Sequence, residues 1–312
     1  MVKTDSYVQF EAGKLTYRVV PVTEEIIRMI VSGKEIKEAQ DSLIIEKKEY
    51  PEVDFSAEEN AGSIIVKTVK VCAEINTASG DIIWKHADGS KWLSQKKPEL
   101  TETDVIHYNT GDEEPIINRV KTVDGERNFI QNLKAEKVRT AYRGKLFFTW
   151  KEDEEIHGLG QAEEGIYNYR GHCQYLYQHN MRIPMPVLVS TEGYGILVDC
   201  CSLMTFNDDL KDSYLFLDTD QIDYYFMGGH TMDEIIHDYR YLTGKAQMLP
   251  KWAYGYVQSK EQYYTAKELL EIVRHYRKIG VPLDCVVQDW NTWDLGNWGE
   301  KILDQFRYVD NK

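Results

Sequence analysis

At 312 residues, with 42% hydrophobic content and 21 tyrosines, the chain can bury one large globular core or two ordinary ones. Its formal charge of −14 argues against nucleic acid and anionic membrane as partners, because neither phosphate surface attracts an acidic protein. The opening MVKTDSYVQFEAGK has no apolar h-region, and no run approaches the roughly 18 apolar residues of a membrane span, so a cytoplasmic location is expected.

From about residue 6 to 150 the pattern is short strands with turn punctuation. Leu15–Val22 and Ile26–Val31 alternate or are β-branched, and Ser63–Ile75 and Asp81–Lys85 flank a Thr-Ala-Ser-Gly turn. Asp88-Gly89 and Asp124-Gly125 are hairpin signals. Glu35–Lys48 is charged and reads as either a short helix or an exposed strand pair. Strands continue at Lys145–Trp150, Val187–Ser190, Ile196–Asp199, Tyr214–Leu217 and Ile222–Phe226, with Gly193 and Gly195 turning the chain around Tyr194. Repetition at this spacing predicts a β-sandwich. Thr231–Leu242 reads as a helix with Met232, Ile235 and Ile236 on one face, closed by Thr243-Gly244.

After Leu249-Pro250 the pattern changes to strand, helix, strand. Trp252–Val257 is an aromatic, β-rich run. Thr265-Ala-Lys-Glu268 is a capping box, Leu269, Ile272, Val273 and Tyr276 recur at helical spacing, and Gly280 with Pro282 stops the helix. Leu283–Gln288 is a second apolar run that delivers Asp289 and Trp290 to its carboxyl end, where a (β/α)8 barrel presents its substrate site. Asp284, at the opposite end of that run, reads as structural.

Other chemistries find no footing. Five cysteines (72, 173, 200, 201 and 285) form an odd set without C-x-x-C spacing, favouring neither a disulfide framework nor a zinc site. The histidines form no H-E-x-x-H, and there is no phosphate-binding glycine loop or G-x-S-x-G.

The runs Trp252 to Tyr263 (WAYGYVQSKEQY) and Pro282 to Trp290 (PLDCVVQDW) resemble the opening of the catalytic barrel of glycoside hydrolase family 31, in its α-xylosidase-like branch. Gly158-Leu-Gly-Gln161, Asn168-Tyr-Arg-Gly171, Gln178-His-Asn180 and Gly193-Tyr-Gly195 are similar to the β-sandwich that precedes that barrel. The resemblance is strongest over about 157–301. It implies that Asp289 grips hydroxyls of the sugar in the −1 subsite, which suits a carboxylate accepting two charge-assisted hydrogen bonds. The alternative is a carboxylate pairing with a neighbouring strand. Trp290 and Trp293 beside it could stack on a pyranose or pack in the core. Glu261, after the first strand, matches a position lining the −1 pocket, or is an exposed loop carboxylate. Arg170, His179 and Asn180 lie in a stretch resembling the family's loop over the barrel mouth. Arg170 also reads as a structural ion-pair partner, and His179-Asn180 as a turn.

The expected fold is mainly β: an N-terminal β-sandwich, galactose-mutarotase-like by resemblance, over 1–248, followed over 249–312 by the first βαβ unit of a truncated (β/α)8 barrel. The function implied is the N-terminal portion of a retaining α-glycosidase hydrolysing α-xylosides or α-glucosides, without cofactor or metal. Retention needs two carboxyl groups about 5–5.5 Å apart. The family takes its nucleophile from a Trp-x-Asp-like motif that these residues lack, so the chain alone is expected to be inactive. Two rivals are a non-catalytic carbohydrate-binding sandwich and an interaction fragment that completes its barrel with another chain. The expected partner is an α-linked xylose or glucose carbohydrate. Two parallel strands with open edges also call for cover, from the sandwich or from a second copy in a homo-oligomer.

Overall fold

Alternation becomes burial from the first hairpins onward. In the strand Leu15–Pro21, residues Leu15, Tyr17 and Val19 are buried while Thr16, Arg18 and Val20 are only half-buried. The computed structural model describes residues 1–37, 42–47, 49–123, 125–209, 211–261, 263 and 265–288. It divides into two compact units, Met1–Val105 with Lys137–Lys245, and Ile106–Glu136 with the described residues from Ala246 onward.

The first unit is built on an eight-stranded sheet. Its spatial order is Val2–Lys3, Val8–Ala12, Leu15–Pro21, Ile26–Ser32, Ile222–Gly228, Tyr194–Val198, Ile183–Ser190 and Ile156–Gln161. Ile26–Ser32 and Ile222–Gly228, nearly two hundred residues apart, pair antiparallel at its centre. All seven residues of Ile222–Gly228 are buried, Asp223 among them, because both faces of the sheet are covered there.

On one face, Ile222, Tyr224 and Phe226 join a core shared with a five-stranded meander running from Ser56 to Gln95. Trp84 stacks on Phe226 with ring centroids 4.2 Å apart. The Trp84 indole N–H and the Tyr224 hydroxyl both donate to Gln95 Oε1, at 2.6 and 2.9 Å. A further five-stranded sheet, ordered Glu99–Asn109, Lys134–Phe148, Ser213–Thr219, Met204–Asn207 and Cys173–Tyr175, sends Leu146, Phe206, Leu215 and Leu217 into the same core. On the opposite face, Tyr225 and Met227 pack with Ile45 and with Ile235 and Leu242 of helix α1 (Met232–Thr243).

Four local readings change. Ser63–Ile75 is two strands, because Thr68 turns the chain by accepting the Val71 amide at 2.9 Å and donating to Glu24 O at 2.6 Å. Among its described residues Glu35–Lys48 carries no helix or strand, and Ile36 and Ile45 tether it by burial. Lys145–Trp150 is the end of a longer strand, Lys134–Phe148. On α1 the buried line is Ile235, Asp238 and Leu242, whereas Met232 and Ile236 are exposed. A polar residue holds the inner face there, which a search for apolar periodicity passes over.

Candidate functional site

The second unit contains the strand–helix–strand segment. Pro250 precedes a 3-10 turn, Lys251–Tyr254, closed by Ala253 N–H to Pro250 O and Gly255 N–H to Trp252 O at 2.9 and 3.1 Å. The aromatic run expected to be a strand is therefore a turn, and the strand begins only at Val257. Gly255 is required by a neighbour: a Cβ there would lie 2.0 Å from Oδ2 of Asp284. That oxygen accepts the Tyr256 amide at 3.2 Å, and Tyr256 O accepts the amides of Asp284 and Cys285. Asp284 thus ties the amino ends of the two strands together, the structural role its position suggested.

Val257–Lys260 pairs in parallel with Cys285–Gln288, with Val257 opposite Cys285 and Lys260 opposite Gln288. Helix α2, Ala266–Ile279, connects them. Thr265 caps it by accepting the Glu268 amide at 3.0 Å, and Gly280 ends it in the left-handed conformation at φ 73°. Leu269, Ile272, Val273 and Tyr276 are its half-buried face.

Contacts with α2 fix which strand positions face the helix. The hydroxyls of Tyr256 and Tyr276 donate to Gln258 Oε1 at 2.6 and 2.7 Å, and Gln258 Nε2 donates to the hydroxyl of buried Tyr263 at 3.2 Å. Lys260 Nζ donates to Glu268 Oε1 at 3.2 Å. Positions 256, 258 and 260 therefore turn toward α2, together with Val286 and Gln288, the register partners of 258 and 260. Val257, Ser259, Cys285 and Val287 take the opposite face. Sequence reading missed Gln258, although its spacing of two from Tyr256 and Lys260 was the available signal.

Glu261 is the residue after Lys260, at the carboxyl end of the pair, and it is exposed. Asp289 follows Gln288 in the sequence. Asp289, Trp290 and Trp293 lie outside the described residues.

Arg170 and His179 belong to the first unit. The Arg170 guanidinium donates to Asp208 Oδ2 at 3.2 Å and to the carbonyls of Lys151 and Glu154 at 3.0 and 2.7 Å. Asp208 also accepts the Gly171 amide at 2.7 Å, the Trp150 indole at 3.1 Å and the Ser213 hydroxyl. Of the two readings of Arg170, these contacts carry the structural one. His179 is exposed, with its ring 5.5 Å from that of Tyr177, and its carbonyl accepts from Gln178 Nε2 at 3.1 Å.

The other upstream motifs resolve into backbone requirements. Gly158 and Gly160 have φ of 103° and 91°, and they bracket a register shift against Ile183–Ser190 that buries Leu159. Asn168 Oδ1 accepts the amides of Ile156 and Arg170. Tyr194, fully buried between Gly193 and Gly195, donates to Glu154, which also accepts from Ser190 Oγ at 2.6 Å and from the Lys151 amide at 2.8 Å. Desolvation and the Glu154 charge push the Tyr194 phenol well above its usual pKa, so it stays a donor.

Residues 246–312 match the family model described as the glycosyl hydrolases family 31 TIM-barrel domain. Over 185 residues the chain is 36% identical to an α-xylosidase of Saccharolobus solfataricus, an alignment that covers 56% of this chain and 25% of that protein. Both comparisons point to glycoside hydrolase family 31, the model through residues 246–312 and the relative through 36% identity. The chain is also 27% identical to α-glucosidase 2 of Bacillus thermoamyloliquefaciens over 188 residues, covering 55% of this chain and 24% of the relative. Among solved structures it resembles the family 31 α-xylosidase of Xanthomonas citri, with a TM-score of 0.72 at 19% identity over 94% of this chain and 46% of that one. A family 31 α-xylosidase from a soil metagenome, complexed with xylose, gives 0.69 at 21% identity over 94% and 41%. These likenesses show the mainly β, multi-sheet fold. The chain spans about a quarter of the length of the curated relatives named here and under half of the solved ones.

Proposed function

We propose that this chain forms the N-terminal part of a retaining α-glycosidase acting on α-xylosides or α-glucosides. In this reading the first unit is a galactose-mutarotase-like sandwich, and Val257–Gln288 is the first βαβ of a (β/α)8 barrel. The sugar is held at the carboxyl ends of the two parallel strands. The observation that carries the reading is the alternation against α2. With 256, 258 and 260 turned to the helix, the opposite set runs Val257, Ser259 and then Glu261 on one strand. On the other, Cys285 and Val287 share that face, and Asp289 is the next residue but one in the sequence. In the barrel we propose, the same alternation carried one residue further would bring Glu261 and Asp289 to that face. That face is the interior of a barrel, and its carboxyl end is the mouth.

Two neighbouring carboxylates can each accept hydroxyl hydrogen bonds from one sugar ring, orienting it without taking part in bond breaking. Catalysis needs in addition a nucleophile and an acid/base pair. The 312 residues by themselves are accordingly expected to bind methyl α-xyloside or methyl α-glucoside in preference to the β-anomers, and to hydrolyse neither. Calorimetry with the four glycosides, beside a chromogenic assay on aryl α-glycosides, checks both halves. Turnover above the enzyme-free rate would show that a catalytic pair is present within these residues. Equal affinity for the two anomers would remove the α-glycoside reading.

A further inference from the structure

The hairpin signal at Asp124-Gly125 corresponds to a two-stranded sheet of its own, Ile117–Thr122 with Gly125–Ile130, so each strand keeps one edge without a neighbouring strand. Apolar side chains stand on both of its faces. Ile117 and Ile130 are register partners on one face, 57% and 41% exposed, and Val120 and Phe129 lie on the other, 41% and 50% exposed. A lone two-stranded ribbon is marginal in water, and an open edge flanked by apolar side chains invites another strand.

The register decides which backbone groups point outward. The Gln131 amide donates to Ile116 O at 2.9 Å, so 116 with 131 is a hydrogen-bonded pair. Such pairs alternate along an antiparallel ladder. The pairs 118 with 129 and 120 with 127 are therefore bonded too, and the amides and carbonyls of 117, 119, 121, 126, 128 and 130 point away from the ribbon. The two outer edges differ in chemistry. Along Ile117–Thr122 the outward positions include Arg119 and Lys121. A copy of that edge centred on Arg119 would set like charges opposite one another, and one centred on Ile117 would meet Pro115, which has no amide to give. Cations and proline of this kind protect an edge. Along Gly125–Ile130 the central outward position is the neutral Asn128.

We infer that this ribbon is a self-association site: a second copy of the chain pairs antiparallel with the outer edge of Gly125–Ile130 across a twofold axis at Asn128, giving one four-stranded sheet. Three features of that edge fit its own copy. Asn128 meets the partner's Asn128, and a carboxamide both donates and accepts, so it is its own complement. Arg127 falls opposite the partner's Phe129 in a non-hydrogen-bonded pair, the closer of the two spacings, and the symmetry sets a guanidinium against an aromatic ring twice. Position 126 falls opposite the partner's Ile130, so no like charges meet. A foreign strand would need this pattern independently, whereas a second copy carries it by symmetry. The inference does not depend on the sugar reading, none of whose residues lie in the ribbon.

The test is sedimentation velocity on the whole chain. An interface this small is transient, so a dimer is expected at about 100 µM and a monomer at about 1 µM. The formal charge of −14 on each chain opposes association, while backbone hydrogen bonds hold the edge, so raising salt from about 50 to about 500 mM should strengthen the dimer. Asn128→Lys and Asn128→Asp each place like charges on the axis and should leave a monomer. An equimolar mixture of the two should dimerise again, a recovery that misfolded chains would not give. Asn128→Pro removes an outward amide and none within the ribbon, and should also be monomeric. Arg119→Ala, on the guarded edge, should leave the assembly unchanged. The inference is overturned if the parent is monomeric at about 100 µM, or if Asn128→Lys or Asn128→Pro dimerises as well as the parent, as a dimer held through the two parallel strands would. It is overturned equally if the mixed Asn128 variants stay monomeric, or if Arg119→Ala weakens the dimer as much as Asn128→Lys does.

Discussion

Replacing Arg28 with alanine is expected to cost about 3–5 kcal/mol of folding stability, the range for breaking one side of a buried ion pair. Arg28 donates from Nε and Nη2 to the two oxygens of Asp223, at 2.8 and 2.6 Å, and the side chains are 14% and 10% exposed. The pair sits where Ile26–Ser32 meets Ile222–Gly228, the joint that ties the N-terminal hairpins to the rest of the eight-stranded sheet. Desolvation raises the Asp223 pKa even though Arg28 pulls it down. Without Arg28 the carboxylate is left buried and uncompensated, and its pKa climbs further. A carboxyl with a raised folded pKa stabilises at low pH and loses that contribution as the pH rises through the folded value. The Arg28→Ala deficit should accordingly be largest near pH 7.5 and shrink toward pH 4. Urea unfolding at the two pH values measures it. A cost under about 1 kcal/mol at pH 7.5, the scale of a surface pair, would mean that water reaches the site.

Gly160→Ala is expected to be nearly as damaging, on the order of 3 kcal/mol or more. Two terms add: left-handed backbone for a residue with a side chain costs roughly 1–3 kcal/mol, and overpacking costs roughly as much again. A Cβ at Gly160 would lie 2.1 Å from the carbonyl oxygen of Ile183 and 2.7 Å from the Met185 amide nitrogen. Both are backbone atoms of the adjoining strand segment, so relief requires moving that strand. Gly165 supplies the comparison. Its φ is 67°, also left-handed, yet a Cβ there would meet nothing within 4 Å. Gly165→Ala should therefore cost only about 1 kcal/mol, from backbone conformation alone. The difference between the two denaturation midpoints isolates the overlap, and equal midpoints would show that the strand yields freely.

Sequence legibility followed the range of the interactions. Helix α2 was readable end to end, because Thr265, the spacing of Leu269, Ile272, Val273 and Tyr276, and Gly280 act within a turn or two of themselves. The strand after it was readable for the same reason. The start at Trp252 was misread because aromatic content signals a strand, while the turn there is set by Pro250 and by Asp284 pressing on Gly255 from thirty residues away. Arg28 with Asp223 and Arg170 with Asp208 depend on contacts that no local spacing encodes. Within the candidate site, Asp289, Glu261, Trp290 and Trp293 were picked out by resemblance to family 31. What the fold adds is the orientation of their strands, because Gln258 and Lys260 engage α2 and thereby define the other face.

The central claim is that this other face, at its carboxyl end, holds an α-glycoside. Its most direct test is titration of methyl α-xyloside into the whole chain, with and without Asp289→Ala. Loss of a charge-assisted hydrogen-bond acceptor should weaken binding by about tenfold or more. An affinity unchanged by Asp289→Ala would contradict the assignment of the sugar site to the ends of these two strands.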